Sequence, residues 1–478
     1  TNGRLYGTTS LGGDYNKGVI FEINPSNDAY TVKFSLDSLS GYAPRSIITE
    51  TSNGKFYILT RRGGTTGLGT IIQIDTTTWT LSKKADFTTS IGRNPEGKLT
   101  EANNGLLYGL APYEGGNGYG SIFEFNPNTN ALNIKYSFNY SNATGYSPIG
   151  SLLLADNGNL YGYTRYGGGS SYANGALFEY VPGTTTCTSK KLMLQYSGYY
   201  AERNTPIQLD NGKMYSLIKG GGNYYHGTLL EYDLNSNSFS ALVNFSDSYS
   251  GKYPKGDLIE AANGKLYGMT SEGGVNGKGV LFEYDIASST YTKKTEFNSV
   301  NGSFPTGTLV EVCPSAISIT LQPQISSVCA GDMAYISVAA TNCSRLTYQW
   351  YKNGVKFIGE TNDTITFNNL STSDNGSYYC KIMGGAKAVV SSTYVLTVAT
   401  PPVVNLSGLS NSYCVNGPVS SLTGTPSGGT FSGSNLIGSV FVPVAAGNFD
   451  IIYNYTDTQG CSNSDTASTI VNTLPLAS

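Results

Sequence analysis

Short apolar runs, each closed by Gly, Asn, Ser or Pro, divide the first 312 residues into strands and tight turns. One stretch displays the whole unit. The run Asp257-Leu-Ile-Glu-Ala reads as a short strand leading into Asn263-Gly264, and Asn-Gly is a strong hairpin signal because both residues tolerate positive φ. A Leu-Tyr-Gly strand follows, then a Gly-Gly loop, then Leu281-Phe-Glu-Tyr, a polar turn, and Tyr291-Thr-Lys-Lys-Thr-Glu-Phe. The pattern predicts four antiparallel strands, the last of them outermost.

The unit repeats. Asn-Gly followed by an apolar-Tyr pair occurs at Asn2-Gly3, Asn53-Gly54, Asn104-Gly105, Asn157-Gly158, Asn211-Gly212 and Asn263-Gly264, at spacings of 51, 51, 53, 54 and 52 residues. Four strands per repeat of this length is the signature of a propeller blade. Six copies predict a six-bladed β-propeller over residues 1–312. The first copy lacks its innermost strand, and Gly307-Thr-Leu-Val-Glu-Val312 offers one at the far end. Residues 306–312 are therefore expected to pair with the N-terminal strands within residues 4–36 and close the ring. Lys83-Lys84, Lys190-Lys191 and Lys293-Lys294 fall on outermost strands, where lysines commonly block edge-to-edge association. That reading outweighs a nucleic-acid one.

The motif Leu-Tyr-Gly-x-Thr-x-x-Gly-Gly … Gly-x-x-Phe-Glu, with Gly-x-x-Pro between copies (Gly251 to Pro254, Gly302 to Pro305), resembles the GloVer-type tandem repeat. That repeat occurs in secreted proteins of the Bacteroidota and is distantly similar to kelch. The resemblance covers residues 1–312. Ile58 and Ser216 depart from the Gly of the motif, and Glu202-Arg-Asn-Thr-Pro206 departs from Gly-x-x-Pro. Strand spacing survives these departures.

From Ser315 the period vanishes. Gly331-Asp-Met-Ala-Tyr-Ile-Ser-Val338, Tyr348-Gln-Trp350 and Ser373-Asp-Asn-Gly-Ser-Tyr378-Tyr-Cys380 resemble an immunoglobulin domain, placed at 313–400. The resemblance makes Trp350 the core tryptophan and Tyr378 the tyrosine corner. Val338 stands where the strand-B cysteine is normally found, so Cys380 lacks its usual partner. Pro401-Pro402 opens a second Ig-like or PKD-like β-sandwich over 401–472, and 473–478 reads as the start of a linker. The fold class expected is all-β: a six-bladed propeller followed by two Ig-like sandwiches.

Six of the seven cysteines lie at or beyond Cys313, without metal-ligand spacing, which favours disulfides in an oxidising compartment. By resemblance to such sandwiches, Cys414 and Cys461 form one bridge within the second module. Cys313 and Cys343 fall at one end of the first and are paired there. Cys329 is left without a partner.

Composition narrows the chemistry. Of 478 residues only 13% are charged, with net charge −3, 59 Gly and 37 Tyr. No basic footprint for nucleic acid follows, and no apolar run is long enough to span a bilayer, so no membrane insertion is expected. The opening inside a repeat suggests the ordered part of a longer precursor, its targeting and anchoring segments outside this chain. A single histidine, His226, leaves no room for a triad built without it. Cys187 reads as an inert thiol. The Asn-Gly-Lys tripeptides lack the leading Gly and trailing Ser/Thr of a phosphate loop. Glu22, Glu124, Glu179, Glu231 and Glu283 recur at one position, which indicates structure, whereas a glycosidase needs two singular carboxylates. No enzyme activity, cofactor or metal is expected.

The tyrosines outside the repeat core carry the functional signal. Propeller topology puts the Gly-Gly loop and the inter-blade loop on one face. Copies three to five load the first with Tyr113, Tyr119, Tyr166, Tyr172, Tyr224, Tyr225 and His226, and the second with Tyr140, Tyr146, Tyr199, Tyr200, Tyr249 and Tyr253. Tyrosines offer flat apolar faces for sugar rings with hydroxyls at the edge. The competing reading makes tyrosine this chain's general surface residue. The expected function is a secreted, cell-surface binding or adhesion protein that recognises a glycan or surface polysaccharide. Three-module architecture resembles type IX secretion cargo of the Bacteroidota, which implies secretion or outer-membrane protein partners. The alternatives are a structural or motility-associated subunit and, third, a carbohydrate-active enzyme. Asp363-Thr364-Ile365 and Asp465-Thr466-Ala467 resemble O-glycosylation acceptors of that phylum.

Overall fold

The computed structural model describes residues 5–24, 27, 29–51, 54–75, 77–141, 143–167, 173–194, 205–309, 316–325, 327–342, 346–357, 359–384 and 387–474. These divide into two compact units. One is Thr1–Ser318 with the segments Thr341–Leu346 and Met383–Val389; the other is Ile319–Ala340, Thr347–Ile382 and Val390–Ser478. Both are almost entirely β. The described residues include one helical turn, Asp247–Ser250, and one 3₁₀ turn, Thr372–Asp374.

The first unit is six antiparallel sheets in succession, one per sequence repeat, with strands adjacent in chain order. The third shows the pattern: Glu96–Glu101, Leu107–Ala111, Ser121–Phe125 and Leu132–Ser137. In the second and sixth sheets the first strand is broken in two, at Tyr42–Pro44 and Thr49–Glu50 and at Lys252–Pro254 and Ile259–Glu260. The first sheet has only Leu5–Thr8, Val19–Asn24 and Ala29–Ser35. Residues 310–312 of the expected closing strand lie outside the described residues.

The Leu-Tyr-Gly motif has a packing cause. A Cβ added at Gly7 or Gly109 would lie 2.4 Å from the ring of Phe21 or Phe123 on the neighbouring strand. The phenylalanine therefore lies flat on bare backbone. Where the glycine is lost its partner shrinks with it: Ile58 opposes Ile72, and Ser216 opposes Leu230. The departures from the motif are thus compensated pairs, consistent with close packing in which added volume must be offset.

Gly-x-x-Pro fastens one sheet to the next. The residue before each proline donates its N–H to a carbonyl of the preceding sheet: Ala43 to Lys17, Asn94 to Leu68, Ser147 to Tyr119, Tyr253 to His226 and Phe304 to Lys278, at 2.7–3.0 Å. All five donors hold positive φ, between 51° and 56°, a region that side chains rarely occupy. Each proline ring then lies against a glycine of the preceding sheet. A Cβ at Gly120 would come within 2.5 Å of Pro148 Cδ, and one at Gly227 within 2.6 Å of Pro254 Cδ.

In the second unit the immunoglobulin features stand as read. Trp350 is fully buried and its indole N–H bonds the Asn362 carbonyl. The Tyr378 hydroxyl donates to the Asp374 carbonyl at 2.6 Å, which makes the tyrosine corner. Cys380 is a buried free thiol and Val338 is buried as well; burial pushes the thiol up to about 12. The second sandwich is built around the long hairpin Gly447–Thr456 and Ser462–Asn472.

The expected Cys414–Cys461 bridge is corrected. Cys461 instead bonds Cys329 of the immunoglobulin module, and Cys414 is an exposed free thiol. Register explains why. Cys414 pairs alongside Asn472, at one end of an 11-residue strand, while Cys461 precedes the other end at Ser462. At ~3.3 Å per residue that separates them by roughly 36 Å, far beyond the reach of a disulfide. The pairing also gives Cys329 the partner that reading each module alone could not supply. The Cys313–Cys343 pairing lies outside the described residues. Non-reducing peptide mapping should recover a Cys329–Cys461 cross-linked peptide, and alkylation of the unfolded, unreduced chain should label Cys187, Cys380 and Cys414; a Cys414–Cys461 peptide would contradict the assignment.

Candidate functional site

Tyrosine serves two distinct purposes in the repeats. The repeat tyrosine of Leu-Tyr-Gly is a core residue, and in four copies it is almost fully buried: Tyr57, Tyr108, Tyr161 and Tyr215. Burying a phenol requires a partner for its hydroxyl, and the recurring glutamate supplies it. Tyr6 donates to Glu22 at 2.8 Å, Tyr108 to Glu124 at 2.6 Å and Tyr215 to Glu231 at 2.8 Å, with Tyr161–Glu179 and Tyr267–Glu283 alike. In the second copy the carboxylate is replaced by Gln73, whose amide donates to Tyr57. The hairpin asparagines Asn104, Asn157, Asn211 and Asn263 bond the same hydroxyls.

Lysines complete each cluster. Lys135 lies 3.4 Å from Glu124, Lys190 2.7 Å from Glu179, Lys213 2.8 Å from Glu231, and Lys265 and Lys294 both approach Glu283. Part of the outer-strand lysine pattern is thereby turned inward as counter-charge. The Tyr267 hydroxyl, then Lys265, hold the Glu283 carboxyl down to about 2. Burial would raise Glu179, but bonds from Lys190 and Tyr161 outweigh it and leave it below its ordinary value. The recurrent carboxylates are accordingly bound up in structure. Among the described residues no group of three or more His, Cys, Asp or Glu side chains could hold a metal ion. Cys187 packs beside the Tyr108 and Tyr180 core, and burial raises its thiol well above the ordinary range.

The loop tyrosines are different. The latch carbonyls of Tyr119 and His226 bring the Gly-Gly loop of one sheet against the Gly-x-x-Pro loop of the next, as topology required. Around the first of these junctions four rings form a continuous ledge. Tyr146 is its hub, with ring centroids 5.3 Å from Tyr119, 5.3 Å from Tyr140 and 5.4 Å from Tyr166; Tyr119 and Tyr140 are 5.9 Å apart. Tyr119, Tyr140 and Tyr166 are exposed, Tyr140 most at 62%. Burial and the neighbouring phenols raise the Tyr146 hydroxyl.

The ledge has polar ends. The Arg165 guanidinium carbon lies 6.0 Å from the Tyr166 ring. Arg93, from the Gly-x-x-Pro segment before Glu96–Glu101, reaches the loop that carries Tyr119, stacking 5.7 Å from Tyr113 and pairing with Glu114 at 3.3 Å. The second carboxylate oxygen of Glu114 is buried without a hydrogen-bond partner. At the next described junction, His226 meets Tyr253 edge-on at 5.9 Å, and its Nδ1 is buried without a partner.

Of the residues expected to form the site, Tyr113, Tyr119, Tyr166, Tyr224 and Tyr225 are exposed, and His226 and Tyr253 are half-buried. Tyr172, Tyr199 and Tyr200 lie outside the described residues. Tyr140 and Tyr146, from the inter-blade loop, prove central to the ledge. Arg165 was missed altogether; its position one residue before Tyr166 was the available signal.

A family model described as the Gloeobacter/Verrucomicrobia repeat matches residues 1–201 and 168–314, and one described as an immunoglobulin domain matches 318–383. No curated protein matches the chain. Among solved structures, a Bacteroides uniformis protein assigned as a 6-phosphogluconolactonase aligns at 12% identity and TM-score 0.42, covering 81% of this chain and 98% of its own. A fungal alcohol oxidase in complex with copper aligns at 12% and 0.35, covering 83% and 94%. The titin domains Z1Z2 in complex with telethonin align at 14% and 0.19, covering 34% and 98%. At those scores none of the three carries an argument about this chain.

The carboxylate clusters set an acid limit on the first unit. Glu283 is depressed in the folded state, so its stabilisation is complete above its ordinary value of 4.5 and is lost as pH falls towards 2. Denaturant titrations between pH 6 and pH 2, scanned as an approximate range, should show Glu283→Gln with a shallower loss of stability than the parent. An unchanged slope would mean that the cluster is not coupled to folding.

Proposed function

This chain belongs to the Gloeobacter/Verrucomicrobia repeat family over residues 1–314, and from that premise we propose that it is an exported cell-surface binding protein that recognises glycans on one face of a six-bladed propeller. The single observation that carries the binding role is the Tyr119–Tyr140–Tyr146–Tyr166 ledge. Core tyrosines of the same chain tie their hydroxyls to carboxylates, while no hydrogen bond among the described residues engages the hydroxyls of Tyr119, Tyr140 and Tyr146. Exposed, closely spaced rings with hydroxyls at their edges suit the apolar faces and the hydroxyls of successive sugars.

Three features support closure into a propeller. Equivalent innermost-strand positions bond across successive sheets: Lys98 N–H to Ser151, Thr205 N–H to Asp257, and Asp257 N–H to Thr308. Thr308 and Pro305 thus occupy the places that a sixth junction requires, with Pro305 against Gly279. Asp257, raised by burial, also feels the charge of Lys98 three sheets away, which in a six-membered ring is the opposite side. An innermost edge closed this way leaves the loops of all sheets around one rim.

An extracytoplasmic setting is supported by the Cys329–Cys461 disulfide. The two sandwiches it joins serve in this reading as a stiffened spacer for the propeller. Type IX export and outer-membrane partners are what the resemblance to exported multi-module proteins of the Bacteroidota implies. Nothing in the ledge supplies the paired singular carboxylates that a glycosidase uses.

The test is a glycan and polysaccharide screen with the full chain. Saturable binding is expected, and Tyr146→Ala with Tyr166→Ala should weaken it by about a hundredfold, as loss of two stacking rings implies, with the far-UV spectrum unchanged. Binding that survives the double substitution would overturn the ledge as the site.

A further inference from the structure

We propose that the occupant of the tyrosine ledge is an acidic polysaccharide and that Arg165 is the residue that reads its carboxylate, an inference that rests on the ledge being a glycan site. Arg165 closes the strand Leu160–Tyr166 with Tyr166 itself. It is half-buried, and its guanidinium lies 6.0 Å from the Tyr166 ring, which in turn touches the hub at Tyr146.

Its electrostatic position sets it apart from its neighbours. Arg61 pairs with Glu96 and Arg93 with Glu114. No carboxylate among the described residues pairs with Arg165. An arginine over an aromatic face keeps a planar fork of donors matched to a carboxylate. When a ligand covers the ledge, that fork loses water. A neutral sugar leaves the charge desolvated without a counter-ion, which is unfavourable. A uronate offers two oxygens to the fork while its ring stacks on the tyrosines. The chain as a whole carries net charge −3, so it repels polyanions at long range. A preference for an acidic polymer must therefore come from local charge, and Arg165 is a cation at the ledge that no carboxylate among the described residues neutralises.

A protein partner is the competing occupant, since Tyr and Arg are also enriched at protein hot spots. The arrangement favours sugar. Three rings stand exposed around the half-buried Tyr146, and the hydroxyls of Tyr119, Tyr140 and Tyr146 have no hydrogen-bond partner among the described residues. The ledge thus offers open faces with polar edges and not a deep apolar pocket.

The experiment uses the full chain with polygalacturonate, alginate and hyaluronan, each beside its carboxyl-esterified form, in calorimetry at fixed ionic strength. At least one acid polymer should bind about tenfold tighter than its ester, the factor expected for one charge-assisted pair. Arg165→Gln should erase that preference by weakening acid binding while ester binding becomes no weaker than in the parent, and Arg165→Lys should restore part of it, because charge returns without the fork. Equal binding of acid and ester by the parent chain would overturn the inference and leave the ledge a neutral-glycan site. So would a preference that survives Arg165→Gln. Binding to none of the six polymers, with capture of a protein ligand instead, would overturn both this inference and the glycan reading beneath it.

Discussion

Five residues before proline, Ala43, Asn94, Ser147, Tyr253 and Phe304, sit at positive φ and give their N–H groups to carbonyls one sheet back. Conformations of this kind cost about 1–3 kcal/mol each and persist only where the surroundings over-determine them. Here the surroundings are the proline ring wedged against a glycine and the hydrogen bond it directs. Each sheet is a minimal antiparallel meander that cannot bury both faces by itself. Fastening it to the next lets adjacent sheets share a core, in clusters such as the one formed by Tyr57, Phe87, Leu99 and Phe123 across neighbouring repeats.

The same fastening creates the candidate site. A latch that draws the Gly-Gly loop of one sheet onto the Gly-x-x-Pro loop of the next places side chains from residues near 119, 146 and 166 within ring contact. Other junctions carry the same geometry with different decoration: Lys17 over Tyr42, Lys278 over Phe304, His226 against Tyr253. A repeat of fixed backbone thus presents variable aromatic and cationic pairs at successive junctions. Among the described junctions, four rings meet between the third and fourth sheets, because Tyr140 and Tyr166 extend the pair that the latch itself brings together.

Tyrosine chemistry separates scaffold from site. A core phenol is held by a carboxylate, an asparagine and a lysine, so its polar end is satisfied and immobile. Loop phenols keep hydroxyls outside that network. In the second unit the logic differs. Small sandwiches with thin cores gain from covalent staples, and the staple here joins two modules, Cys329 to Cys461. Val338 and Cys380, at the positions of the usual intra-domain bridge, are packed as plain core side chains instead.

The sequence by itself determined the repeat, its four-strand unit, the split between core and loop tyrosines, and the structural nature of the recurrent glutamates. These are periodic properties, and period is visible in one dimension because each copy solves the same packing problem. It also determined the immunoglobulin core at Trp350 and Tyr378, where the motif is local. Tertiary structure alone decided which cysteines meet, since Cys329 and Cys461 belong to different modules and strand register, not proximity in sequence, sets the distance from Cys414. It alone decided that Tyr146 is the hub of the ledge, with Tyr140 packed against it, and that Arg165 stands at its end with no carboxylate among the described residues paired to it. Ring contacts and ion pairing depend on how two loops from adjacent repeats approach, and that approach is fixed by a latch whose geometry no single repeat contains.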